Sequence, residues 1–115
     1  LTICQSALTP AHLAAANVPD DTPIATTEGL REFSRAILGN EPELDITLAE
    51  RDNIEAAHQL ARQPDVGAII LECTNMAPYA AAISAATGLP VFSAYNFICW
   101  FQSGLMPAPF TGEIK

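Results

Sequence analysis

A cysteine among polar residues closes an apolar run. Val66-Gly67-Ala68-Ile69-Ile70-Leu71 leads directly into Glu72-Cys73-Thr74-Asn75, and Pro78 follows shortly after. The run reads as a strand and Pro78 as a helix start, so Cys73 falls where a strand gives way to a helix. Helix N-termini present free N–H groups and partial positive charge, which favour thiolates and bind carboxylates. A stabilised thiolate beside a bound small carboxylate is the chemistry that such a position offers. Glu72 opposes a thiolate if its side chain lies close, yet side chains alternate along a strand and it can equally point away. The competing reading makes Cys73 a small buried apolar residue. Thr74 and Asn75 either donate to a substrate carboxylate or cap the helix, and the same choice applies to Thr9. Ser6 is a further candidate donor. Tyr79 and Tyr95 either line a pocket or pack. Cys4, inside the first apolar run, and Cys99, beside Trp100, read as core residues.

The elements that must position these groups follow from apolar periodicity and its breaks. Leu1–Cys4 reads as a strand. Thr9 and Pro10 open a helix as N-cap and first helical residue. A second short strand is expected at Pro23–Thr26, then a helix carrying Leu30, Phe33, Ile37 and Leu38 and ended by Gly39-Asn40. Thr47 and Glu50 form a candidate capping box for a long amphipathic helix closed by Pro64-Asp65. The run 66–71 is expected to be a strand buried on both faces. A helix through Ile83 ends at Thr87-Gly88, a fourth strand spans Pro90–Ser93, and an apolar helix spans Tyr95–Leu105. The order predicts an α/β fold: a flavodoxin-like three-layer lobe with a four-stranded parallel sheet of order 2-1-3-4 and helices on both faces. Residues 1–105 form one lobe and residues 106–115 a tail or linker. Such sheets bind ligands at the carboxyl ends of the strands beside the order reversal. Those ends carry Ser6 and Thr9 on one side and Cys73, Thr74 and Asn75 on the other, with Ser93, Tyr95 and Asn96 nearby.

Composition excludes several partners. Thirteen acidic residues against five Lys and Arg give a net charge of -8 in 115 residues. Nucleic acid and anionic membranes have no basic patch to meet, and no apolar run is long enough to span a bilayer. Three widely spaced cysteines and no leader pattern point to a reducing, cytoplasmic compartment rather than a disulfide framework. No spacing of His and Cys suggests a metal site, and His12 and His58 read as helix residues. Because Leu1 falls inside an expected strand, a piece of a longer polypeptide is expected.

At residue level the stretch Gly67-Ala68-Ile69-Ile70-Leu71-Glu72-Cys73-Thr74-Asn75-Met76-Ala77-Pro78-Tyr79, with Ala85-Ala86-Thr87-Gly88-Leu89-Pro90-Val91-Phe92, resembles the aspartate/glutamate racemase superfamily. Ser6-Ala7-Leu8-Thr9 and His12-Leu13 resemble the start of that family's second lobe. The resemblance implies a cofactor-independent racemase in which two cysteines, one per lobe, face opposite sides of the substrate α-carbon. Cys73 matches the second-lobe cysteine and Thr74 its carboxylate-holding neighbour. Ser6 and Thr9 fall where the family places further polar contacts. Asn75 stands where glutamate racemases usually carry histidine, which points away from glutamate as substrate. The first-lobe cysteine has no counterpart, so the isolated chain is expected not to racemise. A single-cysteine decarboxylase or cis-trans isomerase of the same superfamily is the second enzyme reading. A non-catalytic binding or assembly module, with a structural Cys73, is the reading of a different class. The expected partners are a small carboxylate and either a missing first lobe or a second copy, since Phe97, Ile98, Trp100 and Phe101 make the last helix apolar on more than one face.

Overall fold

The computed structural model describes residues 1–109 and 112, so part of the tail expected at 106–115 lies outside the described residues. Among the described residues are five α-helices and one small sheet: α1 (Pro10–Ala15), α2 (Phe33–Leu38), α3 (Ile46–Ala61), β1 (Ile69–Ile70), α4 (Ala80–Thr87), β2 (Val91–Phe92) and α5 (Ala94–Ser103). Short 3-10 segments at Gln5–Ala7 and Thr74–Tyr79 complete the order.

The expected four-stranded flavodoxin-like sheet is not formed. The fold is helix-rich, and β1 and β2 pair in parallel as a two-stranded sheet, Ile69 opposite Val91 and Ile70 opposite Phe92. Segments 1–3 and 24–27 are joined only by an isolated parallel bridge, Thr2 to Thr26. Leu1 is tied to β1 by its N donating to the Ile70 carbonyl at 2.7 Å and its carbonyl accepting from Glu72 N–H at 2.9 Å. The reason is local. Each extended run is cut by a turn or cap immediately after it. The Cys4 carbonyl accepts from Ala7, that of Thr27 from Leu30 and that of Cys73 from Met76. Ser93 caps α5 directly after β2. Upstream, the Gln63 carbonyl turns the chain at Val66, which leaves Gly67 and Ala68 exposed and outside the strand.

Nor is the β1 run buried on both faces. Ile69 and Leu71 are in the core while Ile70 is 69% exposed, and on β2 Phe92 is 54% exposed. The inward face packs on α4 and α3, with Phe33, Ala57, Met76, Tyr79 and Ile83 closing the core. Tyr79 packs edge-on against Phe33, ring centroids 5.6 Å apart, so it is a packing residue. The outward face is partly approached by α1. A cleft of about 330 Å³ lies there, lined among others by Leu1, Leu8, Leu13, Ile24, Ile70 and Glu72.

Helix ends show where local chemistry decided the structure. Thr9 caps α1 by accepting from His12 N–H while His12 Nδ1 accepts from Thr9 N–H, with Pro10 at the first position. The α3 cap is Asp45, whose carboxylate accepts from Leu48 N–H at 3.0 Å, and Thr47 lies inside the helix. The helix expected from Leu30 begins only at Phe33, because Gly29 turns the chain with φ +81° and Asp52 of α3 captures the amides of residues 31–33. Pro78 lies within the 3-10 segment, and α4 starts two residues later. Gly88 ends α4 in the left-handed region, φ +71°, with no atom within 4 Å of an added Cβ. Gly88→Ala should therefore cost about 1 kcal/mol through backbone strain alone, read from urea unfolding midpoints.

Candidate functional site

The described extended segments run parallel, so their exits lie at one edge. That edge collects Cys4–Ser6, Glu28, Cys73–Asn75 and Ser93.

Cys73 is half-buried, extended in backbone (φ -83°, ψ 129°), and immediately precedes the Thr74–Tyr79 3-10 segment. Its neighbours on the inward side are the core residues beneath β1. Glu72 faces the other way. Its carboxylate accepts from the Thr2 hydroxyl at 2.9 Å and it lines the same cleft as Ile70. The alternation of the strand thus separates the carboxylate from the thiol. Thr74 and Asn75 are exposed, and the first amides of a helical turn have no partner within it. A half-buried thiol, an exposed hydroxyl and an exposed amide therefore stand contiguous at the chain's exit from β1.

The other predicted residues are placed differently. Thr9 spends its hydroxyl on the α1 cap. Ser6 belongs to a second cluster: its N–H donates to Glu28 at 2.9 Å, and its hydroxyl donates to the same carboxylate. Cys4 joins them. Its thiol donates to Glu28 Oε1 at 3.4 Å and lies 3.5 Å from the Ser6 hydroxyl. The Ser6 side-chain and backbone hydrogen bonds, aided by the thiol, hold the Glu28 carboxyl below its usual range. Cys4, expected in the core, is thus a half-buried thiol whose hydrogen meets a carboxylate. Sequence reasoning missed both Cys4 and Glu28 as candidates. The one available signal was Glu28-Gly29 after an extended run, a polar residue entering a glycine turn at the same edge. Cys99, also expected in the core, is exposed on α5. Tyr95 is exposed as well.

The 330 Å³ cleft contains none of Ser6, Thr9, Cys73, Thr74 or Asn75. A shallower groove of about 370 Å³ runs between the 3-10 segment, α4 and the start of α5, with Ala77, Ser93, Tyr95 and Asn96 on its walls. Ser93 and Asn96 are committed to each other as the α5 capping box. Among the described residues no group of three or more His, Cys, Asp or Glu side chains is arranged to hold a metal ion, and no helix is long and apolar enough to cross a membrane.

Comparison with known proteins adds one relative. The chain is similar to a dimethylsulfoniopropionate lyase of Durusdinium sp. clade D, 36% identical over 79 residues. The match covers 68% of this chain and 26% of that protein, so the chain spans about a quarter of the relative's length. No family model matches. No solved structure matches.

Proposed function

We propose that this chain carries a thiol acid-base for proton transfer at the carbon next to a carboxylate, with Cys73 as the group that moves the proton. The observation that carries the reading is the placement of Cys73: half-buried at the exit from β1, with Glu72 turned away and Thr74 and Asn75 exposed beside it. In the thiolate form Cys73 takes the α-proton, and the electron pair passes toward the substrate carboxylate. Thr74, Asn75 and the first amides of the 3-10 segment are the donors for that charge. No basic side chain and no cofactor is needed in this scheme. Three thiols free of disulfides suit a reducing, cytoplasmic compartment.

Two outcomes follow from one deprotonation. Return of a proton to the opposite face racemises, and needs a second group there, as the racemase resemblance of residues 67–92 implies. The similar lyase favours the second outcome, elimination. There the α C–H bond breaks, its electron pair forms the carbon–carbon double bond, and the C–S bond to a sulfonium breaks to release the sulfide. The two share their first step.

That step has a direct test. The chain in D₂O is incubated with acidic α-amino acids and with dimethylsulfoniopropionate, and deuterium at the α-carbon is read by NMR. The expected result is exchange without loss of optical activity in a chiral substrate, because one thiol returns its deuteron to the face it deprotonated. Absence of exchange in a demonstrably folded chain overturns the proposal. Release of a volatile sulfide assigns the lyase outcome.

A further inference from the structure

Helix α5 buries none of its residues. Phe97, Ile98, Trp100 and Phe101 are 60–71% exposed, and at about 100° per residue they fall with Ala94 on one arc. Tyr95, Asn96, Cys99, Gln102 and Ser103 take the opposite arc. The stripe is already ordered within itself, with the Phe97 and Trp100 rings 6.1 Å apart. Leu105 and Met106 extend it beyond the helix and are exposed.

Charge is segregated from this region. Residues 73–112 contain no Asp, Glu, Lys or Arg, whereas twelve of the 13 acids and four of the five Lys and Arg precede them. A basic protein partner would be drawn to the acidic part and would find nothing to pair with on α5. An amphipathic membrane-surface helix carries basic residues on its polar arc to meet lipid headgroups; the α5 polar arc has none, and the net charge of -8 opposes anionic lipid. A second copy of α5 meets none of these objections. An uncharged aromatic stripe is complementary to itself across a two-fold axis, and the acidic residues lie outside the apposed segments. Three aromatic side chains about two-thirds exposed, with Ile98, Leu105 and Met106, offer roughly 600–800 Å² per chain, close to the ~800 Å² per partner of a standard interface.

We propose that α5 is a self-association face and that two copies of this chain dimerise through the Phe97–Trp100–Phe101 stripe. Trp100 is the sole tryptophan and reports its own burial. Sedimentation and fluorescence are measured together from about 1 to about 500 μM, spanning the micromolar range expected of such an area. The expected result is a monomer–dimer equilibrium in which Trp100 emission shifts to the blue as dimer forms. Phe101→Glu, with helicity checked by circular dichroism, should remain monomeric with red-shifted emission throughout. Gln102→Glu, on the opposite arc, should dimerise like the parent. A monomer across the whole range overturns the proposal. So does a dimer whose Trp100 emission stays fixed, or one that Phe101→Glu leaves intact. Binding to neutral phosphatidylcholine vesicles by a chain that stays monomeric in solution also overturns it, and makes the face a lipid-binding one.

Discussion

Replacing Cys73 with alanine is expected to lower α-carbon deuterium exchange by about 10²–10⁴-fold, the range that a positioned general acid-base supplies. The loss should fall on the exchange rate with little change in fold, because Cys73 is half-buried and makes no side-chain hydrogen bond at the cap it occupies. Cys73→Ser separates chemistry from packing. Serine nearly preserves the volume, but a hydroxyl is a far weaker acid than a thiol, so exchange should fall almost as far as in the alanine variant. A serine variant as active as the parent would show that the thiol moves no proton. Cys99→Ala is the control, since that thiol lies exposed on α5. Alkylation by iodoacetamide with tryptic mapping gives a second measure: a small carboxylate that occupies the site should protect Cys73 and leave Cys99 unprotected.

Asp52→Ala should cost about 3–5 kcal/mol of folding stability, the largest effect expected from a single polar position. The Asp52 side chain is wholly buried. It accepts from the N–H groups of Glu32 at 2.6 Å and Phe33 at 2.9 Å, from Arg31 N–H at 3.3 Å and from Arg31 Nε at 3.3 Å. Those amides open α2, so the carboxylate of one helix caps another, and alanine strands several buried donors at once. Arg31→Ala should cost under ~1 kcal/mol by contrast, because its side chain is 55% exposed. Burial by itself raises the Asp52 carboxyl; the hydrogen bonds from Phe33, Glu32 and Arg31 outweigh it and hold the group below 3.8. A depressed carboxylate contributes stability above its unfolded value and loses it as pH falls through the folded one. Urea unfolding from about pH 6 to about pH 2 should show that loss in the parent. Asp52→Asn should flatten this part of the profile. The neighbouring Asn53 has the opposite character: its Oδ1 is buried with no hydrogen-bond partner. Asn53→Ala should change stability by less than about 1 kcal/mol, as removal of an orphaned acceptor offsets loss of the Nδ2 bond to Ala49.

What the sequence disclosed was governed by distance along the chain. The Thr9-Pro10 cap and the Gly88 stop were legible because both act within a single turn. The exit of the apolar run at Cys73 was legible for the same reason, although only Ile69–Ile70 of that run pair as a strand. Strand length was not. A four-residue apolar run looks alike whether it pairs throughout or is cut by a cap at its end, as Ser93 cuts β2. Asp45 supplanted Thr47 as cap because both residue types suit the position and they lie only two positions apart. Sequence pattern identified Cys73, Thr74 and Asn75 as one group because they are contiguous. It could not pair Cys4 with Glu28, since 24 positions separate them and a turn of the chain brings them together. The open face of β1 was hidden too, because a continuous apolar run does not say which side has a helix over it.

The tie between Leu1 and β1 also orders the folding process. Residues 1 and 70 are 69 positions apart, whereas α3 and α4 meet across a much shorter loop. Closing the longer loop loses more chain entropy for very few hydrogen bonds, so the α3–α4 pair is expected to assemble before the edge carrying Cys4 and Cys73. In the native state the same hierarchy runs in reverse. Amides of α3 are expected to exchange with solvent only on global unfolding, and those of residues 2, 27 and 72 through local opening, which hydrogen-exchange NMR would check. The edge carrying Cys4 and Cys73 is therefore expected to open at lower energy than the α3–α4 pair, without disturbing those helices.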